Sequence, residues 1–175
     1  MNIPKRNDPS EFKCETFEDY YARFPNQLSH IPEDVVRTWF WFHNEQVIGF
    51  SKLYHFRKWT FTLEKFDNSN IMEIRHFEYD LKRLDGKGAE FIKGKMKGYD
   101  TADFMFENGT SPCPMNVAKN AGEHIHQQRF EGEEMLQPYH LIEGNRRLAF
   151  LRAMIKYKFS RLKDSHDVWV VNIEA

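Results

Sequence analysis

The segment PYHLIEGNRRLAFLRAMI, residues 138–155, says most about the fold. Its first five residues are typical of a short strand, EGN is typical of a turn, and RRLAFLRAMI has the apolar spacing of a helix. Gly144 permits a close approach of the backbone to a ligand, and Asn145 is a favourable N-cap residue. The segment therefore predicts a strand, a glycine turn and a helix in direct succession.

This succession also predicts an anion site. A strand that leads through a glycine turn into a helix directs backbone N–H groups and the positive end of the helix dipole at one point. Arg146 and Arg147 add donors suited to phosphate oxygens. Cations in a first helical turn oppose the dipole, and a bound anion would offset that unfavourable interaction. The alternative is a solvated helix face whose arginines pair with the acid-rich first 36 residues.

Around this segment, helix and strand patterns alternate over roughly the last 75 residues. TADFMFE, residues 101–107, predicts a short helix that ends at Asn108 and Gly109. PMNVAKN, residues 114–120, predicts a strand, and DVWVVNI, residues 167–173, predicts the closing strand. This order favours an α+β or α/β fold class.

The stretches FMFENGTSPCPMNVAKN, PYHLIEGNRRLAFLRAMI and HDVWVV together resemble the ParB/sulfiredoxin-like superfamily. In that superfamily a helix ending in a glycine turn and a Pro-apolar-x-Val strand precede a strand that ends in a Gly-x-x-Arg box. The resemblance covers residues 71–173. Its specific part lies in Glu143, Gly144, Arg146, Arg147 and Ala149. We call residues 143–147 the arginine box.

The resemblance implies a small mixed sheet with flanking helices over residues 71–175, which would bind a nucleoside triphosphate, ATP or CTP, with Mg²⁺. The phosphates would contact Gly144, Asn145, Arg146 and Arg147, and the pocket would be lined by Thr110, Ser111, Pro112, Cys113 and Pro114. Glu143 would hold Mg²⁺ or act as a general base toward water or a hydroxyl. The alternative for Glu143 is an ion pair with one of the two arginines. Hydrolysis or phosphoryl transfer stays open.

Two departures from the family limit what the resemblance implies. The sulfiredoxin branch has a catalytic Cys directly after the box glycine, where this sequence has Asn145, so sulfiredoxin activity is not expected. Partition-type ParB proteins continue into a helix-turn-helix domain, whereas this sequence ends at Ala175. Sequence-specific centromere binding is therefore not expected either.

Residues 1–70 form an aromatic-rich extension without a counterpart in the resemblance. Residues 11–24 predict a helix that ends before Pro25, and a second helix begins at Pro32, with a strand as the alternative over its aromatic part. The alternating residues 59–63 and the segment IMEIRHF, residues 71–77, flank DNSN and predict a β-hairpin. The extension would cover the nucleotide site, form a dimer surface or bind a partner, and the sequence does not choose among these.

Charge and composition leave two other functions open. Lys plus Arg number 25 against 26 Asp plus Glu, for a net charge of -1, which argues against a protein that coats polyanions. Residues 144–163 nevertheless hold seven basic residues and no acidic one, as expected of a ParB-like nuclease or a DNA-binding regulator. A non-enzymatic module would instead bind a partner or a second copy through Trp39, Phe40, Trp41 and Phe42, and the favoured alternative is that these aromatic residues belong to the core.

The remaining candidate residues are weaker. Cys14 and Cys113 lack zinc-type spacing, and no signal peptide or apolar span is visible, so we expect a cytoplasmic protein without membrane contact. His124 and His126 form an HxH pair that is a minor candidate for metal binding, and His140 and His166 are expected to be structural or exposed. The second-rank carboxylates, on the expected first strand of the superfamily fold, are Glu73, Glu78 and Asp80.

Overall fold

The computed structural model describes residues 3–7, 15–119, 124–127 and 132–174. Its helices are α1 (Phe17–Ala22), α2 (Glu33–Val35), α3 (Asn44–Phe50), α4 (Asn68–Glu73), α5 (Glu78–Ile92), α6 (Asp100–Asn108) and α7 (Asn145–Lys156). Its strands are β1 (Thr60–Asp67), β2 (Ile74–Arg75), β3 (Met115–Ala118), β4 (Ile125–Gln127), β5 (Gly132–Glu134), β6 (Tyr139–Glu143) and β7 (Ser165–Asn172). A π-helical turn, Val36–Trp41, connects α2 to α3.

Five strands form one mixed sheet in the order β1-β7-β3-β6-β2. The β1–β7 and β3–β6 pairs are antiparallel, and the β7–β3 and β6–β2 pairs are parallel. β4 and β5 form a separate two-stranded antiparallel sheet. The expected α+β class with a small mixed sheet and flanking helices is therefore confirmed. The division of the chain at residue 70 stays a prediction, and β1, which precedes it, pairs along its whole length with β7.

The two faces of the sheet contact two different hydrophobic clusters. Strand alternation in β7 directs Val168 and Val170 into the cluster formed with α4 to α7, and Val171 into the cluster formed with the N-terminal helices. The N-terminal cluster contains Trp39 and Phe40, both fully buried. The N-terminal extension therefore covers one face of the sheet, and its aromatic residues mostly form core.

The expected β-hairpin after residue 59 is wrong. β1 pairs with β7, about a hundred residues later, and not with the segment that follows it. The residues DNSN begin a helix because the Asp67 side chain accepts a hydrogen bond from the backbone N–H of Asn70 and caps α4. A helix N-cap and a hairpin turn favour the same residue types, which explains the error.

The expected strand over residues 71–77 is correspondingly short. Only Ile74–Arg75 are extended, and they pair with β6. Glu73 is the last residue of α4, while Glu78 and Asp80 lie in the first turn of α5. Glu78 and Asp80 complement the dipole of α5. All three second-rank carboxylates therefore lie in helices and not on the expected strand.

In the N-terminal region the helical prediction holds from Glu33 to Phe50, and the strand alternative does not. The first predicted helix is present as α1, which Thr16 caps, while residues 8–14, including Cys14, lie outside the described residues. The glycine-rich segment after residue 86 begins inside α5. Gly88 lets α5 approach α7 closely, because a Cβ there would lie 2.4 Å from the carbonyl oxygen of Ala149.

The second half of the chain follows the expected order. α6 ends at Gly109, which has a φ of 69° and no room for a side chain, since a Cβ would lie 1.6 Å from the carbonyl oxygen of Arg161. The strands predicted at 114–120, 138–142 and 167–173 are present as β3, β6 and β7. β3 is central and all four of its residues are buried.

Candidate functional site

The arginine box connects β6 to α7 as the sequence predicts. β6 ends at Glu143, Gly144 has a φ of 115°, and α7 begins at Asn145. The N-cap is therefore Gly144, and Asn145 is the first helical residue. A Cβ on Gly144 would lie 2.5 Å from the Cβ of Met115, so both the backbone conformation and the available space require glycine.

The first turn of α7 carries neither a side-chain cap nor an acidic residue among the described residues. In contrast, Thr16 caps α1 and Asp67 caps α4. Gly144 is buried, whereas Asn145 and Arg146 are exposed. The first turn of α7 therefore presents positive charge to solvent.

Arg146 is the solvent-facing arginine of the pair. Its Cζ atom lies 5.9 Å from the ring centroid of Tyr99, within the range of a cation–π contact. Tyr99 directly precedes α6, and its side chain is 56% exposed. The guanidinium therefore lies between the start of α7 and the start of α6, where it can contact a ligand.

Arg147 turns into the protein. Its guanidinium donates to the Glu143 carboxylate, to the carbonyl oxygen and Sγ of Cys113 at 3.2 and 3.0 Å, and to the carbonyl oxygen of Pro114 at 2.5 Å. Glu143 and Arg147 are both 7% exposed. The pairing of Glu143 with a box arginine, the alternative left open by the sequence, is thus present, and a phosphate would have to displace a protein acceptor to reach Arg147.

Glu143 also lies near an imidazole that sequence analysis did not single out. His43 Nε2 is 3.8 Å from Glu143 Oε1, and the His43 side chain is 46% exposed. Burial lowers the pKa of His43, and the negative charge of Glu143 opposes that shift. His43 is therefore largely neutral at pH 7 and can accept a proton.

The carboxylate of Glu143 does not fit a magnesium ion well. One of its oxygens already accepts from the Arg147 guanidinium, which compensates the charge that Mg²⁺ would need. Across the described part of the chain, no group of three His, Cys, Asp or Glu residues is placed to hold a metal. No step of the chemistry proposed here passes through a metal held by the protein.

The predicted pocket residues before β3 separate into two groups. Cys113 contacts Arg147 directly, and the Ser111 hydroxyl donates to the carbonyl oxygen of Cys113 at 2.5 Å. Burial raises the pKa of the Cys113 thiol, although Arg147 opposes the shift. Thr110 instead bonds His166 Nδ1 at 2.8 Å, at the beginning of β7. Cys113 and Ser111 therefore support the arginine box, whereas Thr110 is hydrogen-bonded to β7 and not to the box.

Asn116 is a second residue that sequence analysis missed. It is fully buried in β3 and paired in register with Glu143 and Trp169, and among the described residues neither polar atom of its amide has a hydrogen-bond partner. Trp169 in turn donates to Asp34 Oδ2 at 2.8 Å. A polar residue within the apolar run MNVA was the available signal, because a buried amide is normally hydrogen-bonded.

Three buried histidines form a cluster beside the box: His76, His126 and His140. His126 Nδ1 lies 2.8 Å from His140 Nε2, and the backbone N–H of Leu136 donates to His140 Nδ1 at 3.0 Å. His140 therefore carries its proton on Nε2 and donates to His126. Burial lowers the pKa of His140 to about 2 and that of His126 to about 3.

The two histidines of the HxH pair, His124 and His126, lie in different surroundings. His126 belongs to the cluster, whereas the His124 ring contacts Tyr54, with centroids 5.9 Å apart. His140 and His166 are both buried and hydrogen-bonded, in agreement with a structural role. Burial lowers the pKa of His76, and the nearby Asn145 side chain opposes this shift, so the cluster adjoins the first residue of α7.

Comparison with protein-family models, with curated proteins and with solved structures finds no match to this chain. The likeness to the ParB/sulfiredoxin-like superfamily therefore stays a prediction that depends on the arginine box and on the order of elements around it. None of the helices in the described ranges is both long and apolar enough to cross a bilayer.

Proposed function

We propose that this chain binds a nucleoside triphosphate, ATP or CTP, with the phosphates at the amino terminus of α7. The observation that carries the proposal is the uncapped first turn of α7, which lacks an acidic residue and follows a left-handed glycine. Backbone N–H groups at such a terminus bind phosphate oxygens, and the exposed Arg146 adds a charged donor. Gly144, Asn145 and Arg146 are the residues that contact phosphate in this proposal.

Arg147 has a positioning role here. Its donors hold Glu143 at the end of β6 and the two carbonyl groups just before β3, and these segments flank the glycine turn. The turn is thereby fixed before any ligand binds, which reduces the entropy lost on binding. The nucleotide brings its own Mg²⁺, bound to its phosphates.

Hydrolysis is the chemical step that we include in the proposal, with His43 as the general base. A neutral imidazole can take a proton from the water that attacks the γ-phosphorus, while the bond from that phosphorus to the β–γ bridging oxygen breaks and the nucleoside diphosphate and phosphate leave. The carboxylate of Glu143 orients the ring and stabilises its protonated form. Glu143 acts through His43 because Arg147 already occupies its other oxygen. Replacing His43 by Gln should therefore abolish hydrolysis while nucleotide affinity stays the same.

Calorimetry and thermal shift with ATP, CTP, GTP and UTP, each with and without Mg²⁺, test the binding proposal. Arg146→Ala should weaken binding by about tenfold to a hundredfold, the value of one charge-assisted hydrogen bond to phosphate. Lys156→Ala removes an equal charge from the other end of α7 and should leave affinity unchanged. Wild-type affinity in Arg146→Ala would sink the proposal.

The nucleic-acid alternative finds less support in the structure. Arg147 is buried and Arg152 pairs with Asp85 at 3.1 Å, which removes two of the seven basic residues from any surface stripe. Salt concentration separates the two functions, because binding to a long polyanion weakens steeply with salt. The aromatic partner surface is also reduced, since Trp39 and Phe40 are core and Phe42 is the well-exposed member, at 62%.

A further inference from the structure

A half-open cavity of about 290 Å³ lies between the carboxyl end of α5, the segment 94–97 and α6. Aromatic and sulfur-containing side chains form its apolar surface: Phe91, Phe106 and Met96. Charged side chains complete the lining: Lys97, Asp103 and Glu107. Apolar walls with a few polar groups are typical of small-molecule sites, and this volume is at the low end of their range of about 300–1,000 Å³. The cavity suits one aromatic ring system better than a whole nucleotide.

Local sequence produces this cavity. Gly94 has a φ of 73° and Gly98 a φ of 93°, so the chain turns away from α5 and back into α6. The N–H of Gly98 donates to both carboxylate oxygens of Asp103, at 3.2 and 3.0 Å, which fixes the turn. Helical spacing then places Ala102 and Phe106 on the same face of α6, and the small side chain of Ala102 leaves the space open.

The cavity extends beside α7 from the end that carries the arginine box toward the carboxyl end, where Phe106 of α6 packs on Phe159 with ring centroids 4.9 Å apart. Phe91 near the end of α5 stacks on Phe150 of α7, with ring centroids 4.3 Å apart, while Asp85, earlier in α5, pairs with Arg152, later in α7. The two helices are therefore antiparallel, and the carboxyl end of α5 adjoins the amino end of α7. Tyr99, three residues before Ala102, contacts Arg146.

We propose that this cavity binds the base of the nucleotide whose phosphates lie at Gly144–Arg146, and that it prefers bases with an amino group at C4 of a pyrimidine or C6 of a purine. The inference rests on the proposed function. The base stacks against the aromatic lining, and its amino group donates to a carboxylate at the rim, as cytosine and adenine do in protein sites. Asp103 is already engaged by Gly98, so Glu107 is the acceptor that selects ATP and CTP over UTP.

Calorimetry on the full chain with ATP, CTP, UTP and inorganic tripolyphosphate tests this inference. Ala102→Leu fills the cavity and should lower ATP and CTP affinity by about tenfold or more, toward that of tripolyphosphate, whose own affinity stays unchanged. Glu107→Gln should reduce the preference for ATP and CTP over UTP. Glu78→Gln, an exposed acid at the other end of α5, is the control and should change neither.

The outcomes distinguish the two proposals. If Ala102→Leu keeps full ATP and CTP affinity while Arg146→Ala loses it, the base lies elsewhere and the phosphate site stands. If Ala102→Leu loses affinity while Arg146→Ala keeps it, the phosphate site is wrong and the base site stands. If Ala102→Leu lowers the melting temperature so far that it is unfolded, Glu107→Gln decides, and an unchanged preference overturns the inference. Absence of binding by every probe to the wild type overturns both.

Discussion

The two faces of the sheet bury different kinds of residue. The face covered by α4 to α7 packs mostly aliphatic and Phe side chains such as Leu84, Phe91 and Leu148, and His166 is a buried polar residue on this face. The face covered by the N-terminal region also buries polar groups, among them His126, His140 and Asn116, by strand alternation and by the contact of His126 with Phe50. Apolar contacts do not depend on pH, whereas a buried titratable group stabilises the fold only in its neutral or paired state. The stability of the N-terminal face should therefore depend on pH more than that of the other face.

The arginine box lies at the end of β6, where the two faces meet. Its buried ion pair should give the largest single effect on stability. Arg147→Met leaves the Glu143 carboxylate buried without its partner, which should lower the free energy of unfolding by about 3–5 kcal/mol. Urea unfolding at pH 7 measures the change. The double variant Glu143→Gln, Arg147→Met should recover part of the loss, and no recovery would show that the pair is not the cause.

Acid should destabilise the fold mainly through the buried histidines of the N-terminal face. Burial lowers the folded-state pKa of His126 and His140 below the unfolded value of about 6.5, so their contribution is present above that pH and is lost as the pH falls below it. Each of the two histidines should lower the free energy of unfolding by about 2 kcal/mol as the pH falls from 7 to 5. Urea unfolding across this range measures the slope, which His140→Gln should reduce. Leu84→Ala, on the other face, should lower stability by about 2–5 kcal/mol and leave the slope unchanged.

The unpartnered amide of Asn116 gives the next prediction, with the opposite sign. Asn116→Leu removes a buried amide that lacks a hydrogen-bond partner and should raise the free energy of unfolding by about 1–2 kcal/mol. Asn44→Leu is the matched control and should destabilise, because that buried amide donates to Pro4, Tyr20 and Phe40. Destabilisation by both substitutions, measured by thermal unfolding, would contradict this assignment.

The smallest effect should come from the surface of the sheet edge. Lys65 Nζ lies 2.7 Å from Asp167 Oδ1, across the β1–β7 pair, and both side chains are well exposed. Lys65→Ala should change stability by less than about 1 kcal/mol, because solvent and salt screen such pairs. Thermal unfolding at low and high salt checks this. A loss of stability well above about 1 kcal/mol would contradict the assignment of this ion pair as a screened surface contact.

The elements that the sequence predicts well are those that begin or end at a glycine. Gly109 and Gly144 both have positive φ, and the helices and strands next to them, α6, β6 and α7, lie where the patterns place them. The hairpin failed for a non-local reason. The partner of β1 is β7, and no local pattern in residues 59–77 indicates that a distant strand competes for the pairing.

The candidate site divides in the same way. The arginine box was found because two arginines in a first helical turn oppose the helix dipole and follow a glycine turn. The sequence pattern also indicates that Arg147 is buried and Arg146 exposed. Arg147 lies on the buried stripe of α7 with Leu151 and Met154, four and seven residues later. His43 and Tyr99 were not readable, because they reach the box from other elements.

The close approach of α5 and α7 at Gly88 restricts which ligands can reach both proposed subsites. A Cβ at this position would lie 2.8 Å from the Cβ of Ala153, so the helices touch nearly backbone to backbone and cannot slide or separate without losing that contact. The spacing between the cavity and the arginine box is therefore constant. A ligand that bridges them must have a matching length between its ring and its anionic end, so the number of phosphates becomes a basis for selection.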